Sequence, residues 1–302
     1  MRFQAALCLT LPAALAAQAP APSLSQRYKA EFPGIEALLK EFKSKEALAK
    51  AEALIPGARP DYVKGDPRKS LESSQEFNSL MLAYSLAGRA ALSSGDWAKA
   101  RDYFGKAQAV ARENHALTTE VVVNPLVETW KKAMEDSRKM LEENAARIKE
   151  AEAKAQKDRT PADGETLNAA TVWRNNLSNG GKTIQQLQEH AAGLKRDADA
   201  FTAPLEGLDK DLKAEEETIQ SEKFKGDKAK YVTAVLNTPK NFELPSQADK
   251  VKLLYRLTFL DPANARALKS LQAAVEGKDV PVPEEKKVAP APKKAPAKKK
   301  SS

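Results

Sequence analysis

The sequence contains few side chains whose chemistry could form an active site. Asn179–Thr183 reads NGGKT, which resembles the end of a phosphate-binding loop. That loop requires a glycine five residues before Gly181, where this chain has Asn176, and it requires a hydrophobic strand in front of it. No such strand is predicted here, and the rhythm of a predicted helix resumes in phase at Ile184. We therefore expect no nucleotide site at this position.

The other candidate catalytic or metal-binding side chains are also isolated. Neither His115 nor His190 has a sequence neighbour at metal-ligand spacing. We expect His115 to follow a helix end, where a cation is favourable, and His190 to lie on a charged helix face. Cys8 is the only cysteine, so no disulfide is expected. The sequence predicts no catalytic residue, cofactor or metal, and the alternative is an enzyme whose groups meet only in a folded cleft.

The positive charge is concentrated at the C-terminal end. The formal net charge is +8, and Lys278–Ser302 holds eight lysines against three carboxylates, a net +5. Clustered lysines bind polyanions by releasing counterions, but the absence of aromatic residues there argues against nucleic acid. We expect this tail either to bind anionic envelope polymers or a membrane surface, or to serve only as a solubilising segment. The candidate anion-binding residues are Lys293, Lys294, Lys298, Lys299 and Lys300.

The N-terminal residues have the features of a secretory signal peptide. A basic start precedes Phe3–Ala16, an apolar run that is too short to span a bilayer. Ala14 and Ala16 satisfy the small-x-small rule for cleavage before Ala17. We predict a signal peptide over residues 1–16 and an exported, periplasmic or secreted protein. The alternative is a short buried helix or an uncleaved anchor.

The remaining composition favours helices over strands. Charged residues make up 30% of the chain and aromatic residues only 6%, with Ala, Leu, Lys and Glu abundant, as in long helices. Glu120–Asn124 is the only compact run of β-branched residues, and it is too short to found a sheet. The predicted fold class is therefore all-α.

The stretch Ser85–Ala107 gives the clearest prediction of tertiary structure. Ser93–Gly95 breaks one helix, and Asp96 caps a second helix that runs to about Arg112. Two antiparallel helices joined by so tight a turn can approach closely only where small residues face each other. These residues are Ala87, Gly88 and Ala91 on the first helix and Ala100 and Ala107 on the second, with Phe104 filling the remaining groove.

Together with Tyr84, these positions resemble the tetratricopeptide (TPR) repeat, a helical hairpin of about 34 residues. The resemblance covers about Met81–Asn114 and lacks the proline often found near Arg112. An ordinary hairpin of a helical bundle is the alternative. Because one such unit cannot bury its own face, we expect neighbours: a single helix over Ile35–Leu54 and two helices over Ala248–Gly277.

In the C-terminal pair we expect Asp261 to cap the second helix, with Pro262 in its first turn. The stripe by which this second helix would pack is Leu268, Leu271 and Val275.

The TPR resemblance implies a partner-binding groove on the inner face of the first helix of each unit. In this unit the groove residues would be Leu82, Ser85, Arg89 and Leu92. TPR clamps for a peptide carboxylate use paired lysine and asparagine on that face. Ser85 and Arg89 do not reproduce that pair, so the expected partner is not a peptide C-terminus.

Between the two units the apolar residues keep a seven-residue rhythm, which is typical of a left-handed coiled coil. Two arms joined by Lys157–Glu165 predict an antiparallel hairpin, whose first arm, Glu120–Asp158, is about 58 Å long. Asn175–Gly181 is a poor helix sequence that predicts a bend or loop, and Pro204 predicts a kink or helix end. The heptads allow pairing within one chain or between two chains, the latter giving a homo-oligomer. The rows are Val127, Met134, Leu141, Ile148, Ala155 and Val123, Trp130, Ser137, Asn144, Ala151 in the first arm, and Ala170, Leu177, Ile184, Ala191, Ala198, Leu205, Leu212, Ile219 and Trp173, Gly180, Leu187, Leu194, Phe201, Leu208 in the second.

These features predict TPR-like helical hairpins, a long antiparallel coiled-coil hairpin and a disordered basic C-terminal tail. The expected function is a non-catalytic scaffold of the bacterial cell envelope that binds other envelope proteins. The predicted parts are a signal peptide (1–16), a linker (17–30), an N-terminal TPR-like domain (31–119), a coiled-coil hairpin (120–222), C-terminal TPR-like helices (223–277) and the tail (278–302).

Overall fold

The computed structural model describes residues 22–280, and within this range every regular element is helical. The predicted all-α class is confirmed. The predicted signal peptide and the five candidate tail lysines lie outside the described residues. The helices are α1 (Leu24–Lys40), α2 (Ser44–Leu54), α3 (Pro67–Ser93), α4 (Trp97–Thr118), α5 (Asn124–Glu143), α6 (Ala145–Ala153), α7 (Pro161–Asp199), α8 (Thr202–Gln220), α9 (Lys228–Leu236), α10 (Gln247–Leu260) and α11 (Ala265–Val275).

The N-terminal helices correct two sequence predictions. Residues 24–30 of the predicted linker are helical, because the Ser23 side chain accepts a hydrogen bond from the Gln26 backbone N–H and the Gln26 side chain accepts one from the Ser23 N–H. The predicted single helix over Ile35–Leu54 is two helices. Phe42 adopts a left-handed conformation (φ 58°) between α1 and α2 and reverses the chain there.

The hairpin predicted around Ser93–Asp96 is confirmed as α3 and α4. The Asp96 side chain accepts a hydrogen bond from the Lys99 backbone N–H, as expected for a cap. At the other end of α3 the cap is Asp66, followed by Pro67 in the first turn. Ser70 is buried and donates to the carbonyl of Val63, which ties the preceding loop to α3.

The small residues of this hairpin lie in the helix contact as predicted. A Cβ added at Gly88 would lie 2.7 Å from the Phe104 ring, closer than real contacts allow. The close approach therefore depends on the missing side chain. The other small residues in the contact, Ala87, Ala91, Ala100 and Ala107, are fully buried.

Helix α4 does not end near Arg112 as predicted. It continues to Thr118 and passes through a π-helical turn, Thr119–Val123, directly into α5. His115 therefore lies inside a helix and not after its end. The extension is held by buried hydrogen bonds to α3: the Asn114 amide donates to the Ser74 carbonyl, and the Thr118 hydroxyl donates to the Ser74 hydroxyl.

Helices α5 and α6 form a hairpin with α7, which runs antiparallel to them. Asn176 on α7 donates to the Ser137 hydroxyl on α5 over 3.1 Å, and near the tip Arg174 pairs with Glu152. As far as Leu194, the seven-residue rows mark the inward face of this hairpin, and Ile148, Ala151, Ala170 and Leu194 are among their buried members. The later members Ala198, Leu205 and Leu208 pack against α3 and α4 instead, so the predicted second arm is shorter than expected. Ala155 lies beyond α6 and is exposed.

The structure corrects two predictions about the breaks in this region. Asn175–Gly181 is helical, because Gly180 packs against Met134 of α5: a Cβ at Gly180 would lie 2.5 Å from the Met134 sulfur. The connection predicted at Lys157–Glu165 does separate the two arms, but it lies at residues 154–160: α6 ends at Ala153, and Pro161 begins α7, since Thr160 caps it and proline is favoured in a first turn. The predicted break at Pro204 is confirmed, because α7 ends at Asp199 and Pro204 lies in the first turn of α8.

The C-terminal helices α10 and α11 form the second predicted hairpin. Asn264, and not Asp261, caps α11 by accepting from the Ala267 backbone N–H, so Pro262 lies in the turn. The predicted packing stripe of α11 is wrong at two of its three positions, since Leu268 is 47% exposed and Val275 is 37% exposed, whereas Leu271 packs against the C-terminal cluster. The buried face of α11 is formed by the small residues Ala267, Ser270 and Ala274, which let it lie close to α10.

Arg256 of α10 joins the C-terminal helices to the rest of the protein. Its guanidinium pairs with Glu215 of α8 through both carboxylate oxygens, donates to the Gly95 carbonyl over 2.7 Å, and lies 4.6 Å from the centre of the Trp97 ring. Gly95 has a φ of 85°, and a Cβ there would lie 2.5 Å from the Tyr255 carbonyl oxygen. In this short stretch, therefore, Gly95 permits the tight turn, Asp96 caps α4, and Trp97 contacts Arg256 of α10.

The α3–α4 contact yields a stability prediction. Substitution of Gly88 by alanine should lower the free energy of unfolding by about 1–3 kcal/mol, because the added methyl overlaps the buried Phe104 ring. Gly105→Ala is the matched control on the facing helix, where an added Cβ meets nothing within 4 Å. It should raise stability by about 0.5–1 kcal/mol. Urea unfolding of both variants tests this, and equal effects would contradict the described packing.

Candidate functional site

The face of α3 that the TPR resemblance implies as a groove is partly covered by α1. The two helices run in the same direction, since the Leu24 backbone N–H donates to Glu76 and Glu36 pairs with Arg89. Between these contacts, Tyr28, Phe32 and Ile35 pack on the same cluster as α3. The predicted groove residues are therefore divided between the two ends of the α1–α3 contact.

Leu82 lies at the first end. It lines a groove of about 310 Å³ with Tyr28 of α1 and with Asn78 and Ser79 of α3. Burial raises the pKa of Tyr28, with Glu36 adding to the rise and Arg89 opposing it. Ser85 is half-buried and lies on α3 between Leu82 and Arg89.

Arg89 and Leu92 lie at the second end, where α10 completes a larger groove of about 530 Å³. We name this the α1–α3–α10 groove. Its apolar lining comes from three parts of the chain, with Leu39 and Phe42 from α1 and the turn after it, Leu92 from α3 and Val251 from α10. Its charged lining residues are Glu36, Lys40, Arg89 and Lys252.

The charged residues that line this groove carry a net positive charge. Arg89 donates to both oxygens of Glu36, at 2.5 and 3.3 Å, so this pair is internally neutral. Lys40 and Lys252 are exposed on α1 and α10, and they form no ion pair within residues 22–280. The rim of the groove therefore carries two uncompensated positive charges around an apolar floor.

Sequence reasoning found the α3 side of this groove and missed the α10 side. Helix α10 is placed by Gly95, which leaves room for the Tyr255 backbone, and by the Tyr255 hydroxyl, which donates to the Phe42 carbonyl. The one sequence feature that pointed toward the position of α10 was Gly95, in the Gly-Asp-Trp turn. On its own that glycine identifies a turn and does not identify what packs against it.

The hairpin of α5, α6 and α7 provides a second candidate surface. Its two arms differ in charge: α5 and α6 are densely charged, whereas Thr166–Gln188 of α7 contains only Arg174 and Lys182 as charged residues. Val172 on this arm is 55% exposed. Depletion of charge is a property of the cores of protein interfaces, so the α7 side of the hairpin is the better candidate for a protein contact.

The described residues contain no sign of metal chemistry. Within residues 22–280, no group of three or more histidine, cysteine, aspartate or glutamate side chains could hold a metal ion. His190 is exposed and His115 is half-buried on separate helices. In the same range no helix is long and apolar enough to cross a membrane.

No protein-family model, curated protein or solved structure matches this chain.

The hairpin tip yields a prediction of pH dependence. The backbone N–H and hydroxyl of Thr160, each 2.8 Å from the Asp163 carboxylate, together with Lys154 lower the pKa of Asp163 to about 2. Because the folded-state pKa is depressed, this contribution to stability is fully present above the usual value of 3.8 and is lost as the pH falls through about 2.

An NMR titration of the Asp163 carboxyl carbon would measure this pKa. Thr160→Val keeps the backbone donor and removes the hydroxyl, so it should raise the pKa part of the way toward 3.8. A wild-type carboxyl that titrates near 3.8 would contradict the described cap.

Proposed function

We propose that this protein is a non-catalytic scaffold of the bacterial cell envelope that binds other proteins through its helical hairpin and through the α1–α3–α10 groove. The observation that carries the proposal is the hairpin itself. Helix α5 alone is about 30 Å long at about 1.5 Å per residue, and α5 and α6 pack chiefly on α7. A long hairpin of this kind presents an extended surface for contacts with other proteins.

Two further observations support this proposal from the sequence. The spacing of small residues in α3 and α4 resembles the TPR repeat, whose members bind proteins through helical grooves. The apolar N-terminal run ending in Ala14–Ala16 favours export. The envelope location and the TPR relation both rest on these residues.

A second proposal concerns the lysine-rich C-terminal residues. Their net charge of +5 favours attachment to an anionic polymer or membrane surface. Deletion of residues 281–302 should then abolish salt-sensitive retention on vesicles that contain phosphatidylglycerol, and retention equal to that of the full chain would contradict it.

The scaffold proposal predicts that removal of the distal hairpin abolishes partner capture. Ser137 and Asn176 lie opposite each other across the hairpin. Replacing residues 138–175 by a short Gly-Ser turn therefore removes the tip and keeps α8, whose Glu215 anchors α10. In pull-downs from envelope extracts the full chain should retain proteins that the shortened chain loses.

The controls separate binding from folding. The shortened chain should keep the helical circular dichroism signal expected for its length and a cooperative melting transition. Full-length Lys149→Ala, which changes the hairpin surface without shortening it, should keep the partners. Identical captured proteins with and without the tip would contradict the role of the hairpin.

A further inference from the structure

We infer that the α1–α3–α10 groove binds an extended acidic peptide segment in which a large apolar side chain stands beside carboxylates. The inference rests on the proposed scaffold function. It specifies the chemistry of the partner that binds one of the two candidate surfaces, the α1–α3–α10 groove. The apolar side chain would occupy the floor, and the carboxylates would face the lysines of the rim.

The floor provides the apolar part of this site. Leu39, Phe42, Leu92 and Val251 line it, and all except the buried Val251 are partly exposed. Burial of a leucine or phenylalanine side chain against these residues removes apolar surface of both molecules from water, which is the main favourable term in such contacts.

The rim selects the charge of the partner. Lys40 and Lys252 stand on α1 and α10, on different walls of the groove. The single carboxylate of the lining, Glu36, is already held by Arg89. Since an exposed positive rim attracts acidic groups and repels basic ones, electrostatic complementarity favours an acidic partner and excludes basic partners.

The shape of the groove is fixed before binding. Phe42 has a left-handed conformation, which a phenylalanine keeps only where its surroundings impose it. The Tyr255 hydroxyl imposes it by donating to the Phe42 carbonyl over 2.5 Å, so α10 holds the wall of the groove in place. Preorganisation of this kind lowers the cost of ordering a flexible peptide.

The charges also exclude the C-terminal residues of this chain as the occupant. Residues 281–302 contain seven lysines and two glutamates, so they carry the same sign of charge as the rim. The site must therefore be filled from another molecule, and a peptide segment fits an open groove between helices.

Fluorescence anisotropy of the full chain without its first 16 residues tests the inference. The probe is a labelled peptide, Glu-Asp-Leu-Phe-Glu-Asp, and two matched peptides replace either the acids by lysines or the Leu-Phe pair by Ser-Ser. The acidic apolar peptide should bind at least tenfold more tightly than either matched peptide. Raising the salt from about 50 to 300 mM should weaken that binding severalfold.

Charge reversal of the rim gives the second arm of the test. Lys40→Glu combined with Lys252→Glu should weaken binding of the acidic peptide at least tenfold and should bring the lysine peptide to measurable affinity. Lys149→Glu combined with Lys182→Glu, on the exposed hairpin, is the matched control and should leave both affinities unchanged. Equal binding of the three peptides, or an affinity unaffected by the rim substitutions, would overturn the inference.

Two further outcomes distinguish other occupants. If the protein binds phosphatidylglycerol vesicles through Lys40 and Lys252 but does not bind the acidic peptide, the inference is overturned and the occupant is a lipid surface. If the protein instead associates with itself in a way that requires these lysines, the inference is overturned and the occupant is a second copy of the chain. The chain with the shortened hairpin should bind the peptide like the full chain. If that variant loses the envelope partners but still binds the peptide, the result supports the role of the hairpin and leaves the groove unaffected. If the peptide does not bind at all, the result contradicts the role of the groove and leaves the hairpin proposal standing.

Discussion

The buried ion pair between Arg256 and Glu215 is the interaction on which the arrangement of the helices depends. Both side chains are almost completely buried, at 7% and 10% exposure, and the guanidinium also binds the Gly95 carbonyl and stacks on Trp97. Loss of one partner from such a pair leaves a buried charge without compensation, which costs about 3–5 kcal/mol. Three segments far apart in the sequence therefore meet at one side chain.

The two candidate surfaces depend in different ways on this junction, formed by Arg256, Glu215, Gly95 and Trp97. The α1–α3–α10 groove exists only where α10 is held beside the α1–α2 and α3–α4 turns, so the junction forms it directly. The hairpin packs mainly on itself, and the junction acts on it through α8, which follows α7 and lies against α4 through the Arg101–Asp209 pair. The groove and the hairpin are thus separate surfaces on one helical base.

The sequence predicted those parts of the fold that depend on neighbouring residues. The Ser93–Asp96 turn and the small residues of α3 and α4 were found because a tight turn and helical spacing act over short distances. The inward rows of α5 and α7 were found because their seven-residue rhythm is long. The sequence also showed the arginine and leucine that α3 contributes to the α1–α3–α10 groove.

The sequence could not show what long-range packing decides. Asn175–Gly181 is a poor helix sequence, but Gly180 lets Met134 approach, and this contact overrides the local preference. Helix α11 was expected to pack through Leu268, Leu271 and Val275, but its close packing on α10 buries Ala267, Ser270 and Ala274 and leaves Leu268 and Val275 exposed. The α10 wall of the groove was missed because Arg256 and Tyr255 reach partners 41 and 213 residues away.

A double-mutant cycle on the junction tests this account most directly. Arg256→Met, Glu215→Leu and the double variant would be unfolded in urea with tryptophan fluorescence as the probe. We predict that each single substitution lowers the free energy of unfolding by about 3–5 kcal/mol and that the double substitution costs much less than their sum, because it leaves no unpaired buried charge. Small and additive losses would show that the helices do not depend on this pair and would contradict the account.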